Sequence, residues 1–248
     1  MHSFAYSNSP YSIRPDLPEA FRYTWDKLAR PGTWFSGADR IAIAAEVRAA
    51  EHCELCHQRK QALSPFGVQG EHTSSSDLPV TIIDVAHRLT TDASRLTRTW
   101  LDECVANGLS LEAYVEILSI VVGVLSIDTF HKALGFPLEP LPAPIEGEPS
   151  HYRPTEAKPG VAWVPMIDVN EVSKGDADMY RGMKQNANVI TAMSLVPDAV
   201  RLLQVQSSAM YLEGSLVPQP DQNGGRALSR PQIELIAGRV SAINDCFY

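Results

Sequence analysis

The sequence predicts an all-α fold, and three features indicate it. No alternation of apolar and polar residues, the pattern of a half-buried strand, persists anywhere in the 248 residues. Residues 40–63 instead carry strong helix formers without Gly or Pro. Residues 111–134 place apolar side chains around most of a helix circumference, which is typical of a helix at the centre of a bundle.

The composition is that of an ordinary soluble protein, with 44% hydrophobic and 20% charged residues. The net charge of −8 has no basic run to offset it, which argues against nucleic-acid binding. The N-terminal residues lack a secretory signal. The longest uncharged apolar run, residues 117–127, is shorter than the ~20 residues that span a bilayer. We therefore expect a cytoplasmic protein with no nucleic-acid or membrane partner.

The helices can be placed in order from their start and stop signals. Residues 1–16, rich in Ser, Pro and Tyr, are expected to form an irregular arm, and the polar residues 67–77 a loop. Ser36 or Asp39 is expected to cap the second helix and Ser110 the long apolar helix. The predicted helices cover residues 18–29, 40–63, 78–90, 94–107, 111–134, 178–203 (with a bend at Val196–Pro197) and a segment that begins after Ser229.

A proline-rich segment, residues 137–165, predicts an extended linker rather than a packed element. It divides the chain into an N-terminal half, residues 1–136, and a C-terminal half, residues 166–248. A weak internal repeat connects these halves. When Cys246 is aligned with Cys53, the serines at 229 and 36, the valines at 240 and 47 and several apolar positions coincide.

The residues that carry chemistry lie in the predicted helix 40–63. At about 100° per residue, Glu46, Cys53, His57 and Lys60 share a narrow stripe, with Cys56 at its edge. Four cysteines in a chain of this length do not indicate a disulfide scaffold. In a reducing compartment, a Cys-x-x-Cys pair such as Cys53 and Cys56 is typical of a redox-active or metal-binding site.

The segments around the cysteines resemble the AhpD-like family, which includes alkylhydroperoxidase D and carboxymuconolactone decarboxylase relatives. In its peroxidase branch, a Glu precedes Cys-x-x-Cys-x-x-x-His by about a dozen residues, and Glu234 precedes Cys246 by twelve. Residues 38–56 and 108–135 look like the two core helices of the family. The resemblance implies an AhpD-like bundle of two related halves, a homo-oligomer, and thiol-dependent reduction of hydroperoxides.

The resemblance also implies roles for individual residues. Cys56 would attack the peroxide and Cys53 would resolve the resulting sulfenic acid, with Glu46 and His57 handling protons. The first site departs from the family pattern, since Ile41 stands where the Glu is expected and Lys60 where the His is expected. Glu46 and His57 would then act from shifted positions on the same stripe.

Glu234 and Cys246 would belong to a second site, whose partner position follows Tyr248. Some members of the family carry selenocysteine at that position, encoded by a codon normally read as stop. A chain that ends one residue before it fits truncation at such a codon as well as a natural terminus.

The expected chemistry is a dithiol cycle that a dithiol protein or a small thiol would reduce. No organic cofactor is expected, because no Gly-rich phosphate loop stands in a strand-to-helix setting. No metal is expected either, because zinc would need two ligands beyond the cysteine pair. Three alternatives remain open: zinc binding after all, lactone decarboxylase chemistry, and a degenerate, non-catalytic oligomer with structural thiols.

A further alternative is a di-iron centre. Asp84-x-x-His87 and Asp128-x-x-His131 each place a carboxylate and an imidazole on one face of a predicted helix. Paired motifs of this kind can hold two irons in a helical bundle when further carboxylates are present. Glu46, Glu112 and Glu116 could supply them.

Overall fold

The computed structural model describes residues 4–181 and 183–246, and over these residues it confirms the all-α prediction. No β-strand is formed in the described residues, where Lys158 and Met166 make an isolated antiparallel bridge. The helices are α1 (Asp16–Ala29), α2 (Gly37–Ala50), α3 (Glu54–Gln61), α4 (Val80–Thr91), α5 (Arg98–Ala106), α6 (Leu111–Leu134), α7 (Asn188–Thr191), α8 (Pro197–Met210) and α9 (Arg230–Ile243).

Helix α6 lies at the centre of the bundle, as the sequence predicts. Ser110 caps it by accepting a hydrogen bond from the Ala113 amide, and Gly135 ends it with a φ of 72°. Helices α2, α4 and α8 all pack against it. By length and hydropathy α6 could cross a membrane, but 67% of its most apolar window is buried against the other helices. The core helix of a soluble protein can have the same length and hydropathy, and it is also mostly buried.

The prediction of one helix over residues 40–63 is wrong. Helix α2 ends at Ala50, and Cys53 then adopts an extended conformation (φ −77°, ψ 120°) and stands directly before α3. No Gly or Pro causes this break, so tertiary packing overrides helix propensity here. Beyond the break, Cys53, Leu55 and Cys56 form a small buried cluster of their own with Val68.

The predicted helix over residues 178–203 is also mostly wrong. A 3-10 turn, Ala177–Tyr180, and the single turn of α7 occupy its first part. Pro197 is the first residue of α8 rather than a bend within a helix. Proline favours this position because its missing amide hydrogen and fixed φ suit a helix start.

The proline-rich segment 137–165 contains no helix, yet it lies against the N-terminal helices. Trp25 Nε1 donates a hydrogen bond to the Pro140 carbonyl oxygen over 2.9 Å, and the Ile145 amide donates to Ala29 over 2.7 Å. A single cluster of buried apolar side chains also takes members from both sides of this segment, from Phe4 to Val200. The division into two related halves stays a prediction.

Candidate functional site

The site is built around the break between α2 and α3. Because the chain turns at residues 51–53, Cys53 stands at the N-cap position of α3 and Cys56 lies in its first turn. The exposed fraction is 0% for Cys53 and 2% for Cys56. Both are free thiols rather than a disulfide. The two sulfur atoms therefore lie inside the protein at the start of a helix.

A histidine from α4 connects Cys56 to a carboxylate on α2. Nδ1 of His87 lies 3.3 Å from the Cys56 sulfur, and its Nε2 lies 2.9 Å from Oε2 of Glu46. All three side chains are buried. Because a carboxylate can only accept, Nε2 carries the proton and Nδ1 is left to face the sulfur.

A second histidine, from the loop before α4, makes a matching connection. Nδ1 of His72 lies 3.5 Å from the sulfur atoms of both Cys53 and Cys56, and its Nε2 lies 2.9 Å from Oδ1 of Asp84. Arg59, Arg88 and Trp100 also donate hydrogen bonds to this carboxylate, over 2.8–3.0 Å. We call Cys53, Cys56, His72 and His87 the Cys–His cluster.

The carboxylate of Glu46 is held by the loop that covers the cluster. It accepts a hydrogen bond from the Ser75 amide over 2.8 Å and from the hydroxyls of Ser74, Ser75 and Ser76 over 2.6–3.0 Å. Burial raises the pKa of Glu46, but these donors and His87 outweigh it and hold the pKa below its ordinary value. Glu46 is therefore an ionised, fully satisfied carboxylate.

The two thiols have very different acidities. Burial raises the pKa of Cys53, but hydrogen bonds with the Cys56 amide, His72 and the Thr73 amide outweigh it and lower the pKa to about 6. Burial and the adjacent Cys53 sulfur raise the pKa of Cys56 to about 12. Cys53 is therefore the more acidic thiol of the pair.

Three of the residues selected from the sequence meet here: Glu46, Cys53 and Cys56. His57 does not, since it is exposed and its Nε2 donates a hydrogen bond to the Glu51 carbonyl oxygen over 2.8 Å. The helix breaks between Glu46 and Cys53, so the helical stripe that grouped Glu46, Cys53 and His57 does not exist.

The residues of the expected second site lie on and after α9. Glu234 is bonded to Tyr211 and Arg230 at the surface, and Cys246 is exposed. Among the residues of α9, only Arg230 is buried. Position 249 lies beyond the sequence, so its predicted identity is untested.

His72 was not predicted as a site residue from the sequence, and His87 was considered only as a ligand of a di-iron centre. They stand 16 and 31 residues after Cys56, on a loop and on another helix, so no local spacing connects them to the cysteines. The Asp84-x-x-His87 pattern was the one sequence signal that included a histidine of this site. In the structure, however, its two side chains bond to different partners, Asp84 to His72 and His87 to Glu46.

Three residues proposed for a di-iron centre, Asp128, Glu116 and His131, are engaged elsewhere. Asp128 forms a two-point ion pair with Arg48 at 2.8 Å, and Glu116 forms a buried ion pair with Arg40. His131 bonds to the Tyr6 hydroxyl and the Pro137 carbonyl oxygen. In residues 4–181 and 183–246, only the Cys–His cluster brings three or more metal-ligating groups together.

The chain matches no known protein family, no curated protein and no solved structure. The site must therefore be interpreted from its own geometry. Two thiols close enough to interact, each beside a histidine oriented by a carboxylate, can support dithiol–disulfide chemistry. The same atoms can also bind a metal ion.

Proposed function

We propose that this protein is a thiol-dependent peroxidase that reduces hydroperoxides through Cys53 and Cys56, as its resemblance to the AhpD-like family implies. The observation that carries the proposal is the row of hydrogen-bonded side chains Glu46, His87 and Cys56, with Cys53 beside it at the start of α3. A thiol within reach of a base, with the base oriented by a third group, is the arrangement that activates a nucleophile.

The placement of the two sulfur atoms favours Cys53 as the attacking group, where the resemblance implies Cys56. Cys53 stands at the N-terminal end of α3, where the unpaired amides of the first turn stabilise a thiolate. Its sulfur would take the terminal peroxide oxygen as the O–O bond breaks. The product would be a sulfenic acid on Cys53, and the departing alkoxide would take a proton to become an alcohol.

Cys56 would then resolve this intermediate. Its thiol proton would pass to Nδ1 of His87, which Glu46 holds from the other side. The Cys56 sulfur would attack the Cys53 sulfur, and the sulfenic hydroxyl would leave as water. A dithiol protein or small thiol would reopen the disulfide by exchange.

Access to the sulfur atoms depends on the loop that contains His72 and Ser74–Ser76, because both thiols are buried beneath it. A cleft of about 520 Å³ is lined by His72 and Ser74 of this loop and by Asp84 and Trp100 among others. We expect peroxide to enter from this cleft when His72 moves aside.

The test is a thiol count after metal-free, reduced protein receives one equivalent of hydroperoxide. A Cys104→Ser/Cys246→Ser background leaves only the proposed pair. We expect two thiols to be lost and then restored by a dithiol reductant. His87→Ala should slow formation of the disulfide, whereas His57→Ala, a matched change at an exposed histidine, should not.

Single-cysteine variants distinguish the two role assignments. In the same background, Cys56→Ser should trap a sulfenic acid on Cys53 that reacts with a sulfenic-acid reagent. Trapping in Cys53→Ser instead would assign the attack to Cys56. Retention of both thiols in the unsubstituted pair would refute the peroxidase proposal.

A further inference from the structure

We propose that the Cys–His cluster binds one zinc ion through both cysteine sulfur atoms and Nδ1 of His72 and His87. One ligand atom from each of the four side chains lies within 4.8 Å of all the others. The set of two thiolates and two imidazoles is one of the common sets for structural zinc. This inference is independent of the peroxidase proposal, because it concerns what the four side chains bind rather than what they reduce.

Three of the six distances between ligand atoms in the cluster are close to those that a tetrahedral zinc ion requires. With a Zn–S bond of about 2.3 Å and a Zn–N bond of about 2.0–2.1 Å, a tetrahedral ion holds its sulfur and nitrogen ligands ~3.5 Å apart. Three sulfur–nitrogen distances in the cluster are 3.3, 3.5 and 3.5 Å. His72 is nearly equidistant from both sulfur atoms, as a shared metal ion demands and a hydrogen bond to one thiol does not.

The surroundings of both histidines also fit metal binding. A zinc-bound histidine commonly donates its other ring N–H to a carboxylate, which fixes the tautomer and the ring orientation. Both histidines do so, His72 to Asp84 and His87 to Glu46, each over 2.9 Å. A proton relay to one thiol needs only one such pair. Two pairs at one cysteine pair, with His72 facing both sulfur atoms and His87 facing Cys56, are the arrangement of a metal site.

The burial and the charge of the four ligands also support a zinc site. The ligands come from the first turn of α3, the loop before α4 and α4 itself, and all four side chains are at least nine-tenths buried. Two thiolates neutralise the charge of Zn²⁺, so the complex can be enclosed without a net charge. Four protein ligands with no open position are typical of a structural site. The ion would fasten the covering loop to the two helices.

Bound zinc would also control the reactivity of the two thiols toward oxidants. A sulfur atom bound to the ion is not a free thiolate, so the zinc-loaded protein should react with oxidants more slowly than the metal-free protein. Disulfide formation would remove two ligands and release the ion. Zinc binding and peroxide reduction are therefore separate properties of the same residues, and each can fail without the other.

The experiment is a zinc titration of the full chain, reduced and stripped of metal, against a chromophoric zinc indicator. We expect one ion per chain. Co²⁺ should give the visible bands of tetrahedral coordination and a sulfur-to-cobalt charge-transfer band. His72→Ala should lower the affinity on the order of 100-fold or more, because loss of an outer partner alone costs about 10–100-fold. His57→Ala, one residue after Cys56 but exposed, should bind as the parent does.

Asp84→Asn provides a second variant that keeps all four ligands. We expect its zinc affinity to fall about 10–100-fold, while far-UV circular dichroism of the metal-free protein stays unchanged. Failure of the parent protein to bind zinc in competition with the indicator, or equal binding by His72→Ala, overturns the zinc site. Neither outcome affects the thiol count with hydroperoxide, which tests the peroxidase proposal by itself.

Discussion

The regions around Cys53 and Cys246 begin from similar sequences and reach opposite environments. Both follow a helix that starts after a serine, α2 after Ser36 and α9 after Ser229. Helix α2 packs against α4 and α6, and the chain after it brings Cys53 to His72 and Cys56 to His87. Helix α9 leaves its apolar residues Leu235, Ile236, Val240 and Ile243 exposed, and Cys246 is exposed as well. A cysteine at the end of such a helix becomes a site only when other elements cover it.

The largest expected difference concerns equivalent isoleucines in the two helices. Ile43 is 0% exposed in α2, whereas its counterpart Ile236 is 53% exposed in α9. Ile43→Ala leaves a cavity and should cost about 2–5 kcal/mol of unfolding free energy. Ile236→Ala should cost less than about 0.5 kcal/mol. Urea unfolding of both variants measures this. Equal losses would show that the α9 face is covered in solution.

The second difference concerns thiol reactivity. Cys246 is exposed, whereas Cys53 and Cys56 are buried and should react with a bulky thiol reagent only after the covering loop opens. Local opening that costs about 3 kcal/mol slows modification on the order of 100-fold. Mass spectrometry of peptides from reduced, metal-free protein gives the rate at each cysteine. Cys104, also buried, serves as the internal control. Similar rates at Cys53 and Cys246 would contradict the closed site.

A smaller difference is expected between two glutamates. Glu46 accepts hydrogen bonds from the Ser75 amide, three hydroxyls and His87 while fully buried. Glu46→Gln keeps the shape but replaces one acceptor oxygen with a donor, and should cost about 1–3 kcal/mol. The side chain of Glu234 is 45% exposed, so Glu234→Gln should cost less than about 1 kcal/mol. The same urea series tests both, with the opposite ranking as the contradicting result.

Much of the helical architecture could be predicted because its signals are local. Ser110 and Gly135 bound the apolar helix α6, and Ser36 forms a capping box with Asp39 at the start of α2. The break before Cys53 could not be predicted in this way. Residues 50–54 contain no Gly or Pro, and the local sequence does not show that Cys53, Leu55 and Cys56 pack against Val68.

The cysteine pair and Glu46 were predicted as site residues from their types and positions. The partners of the site were not, because His72 and His87 reach the cysteines only through the tertiary fold. A helical stripe grouped His57 with Glu46 and Cys53, but the helix breaks between Glu46 and Cys53, and the His57 side chain is exposed. Spacing along the chain identifies neighbours within one helix, whereas this site joins residues of three helices, α2, α3 and α4, and a loop.

The smallest difference, and the sharpest test of the comparison, concerns the two capping serines. Ser36 accepts a hydrogen bond from the Asp39 amide, and the amide and hydroxyl of Ser229 donate hydrogen bonds to Oε1 of Gln232. Ser36→Ala should cost about 1 kcal/mol of unfolding free energy because α2 belongs to the cooperative core. Ser229→Ala should cost the helix a similar amount locally but leave the global midpoint unchanged, since α9 can open by itself. Hydrogen exchange at the first amides of α9 measures the local effect, and urea unfolding measures the global one. A loss of global stability in Ser229→Ala would mean that α9 unfolds together with the core. The regions around Cys53 and Cys246 would then differ in exposure, but both would belong to the same cooperative unit.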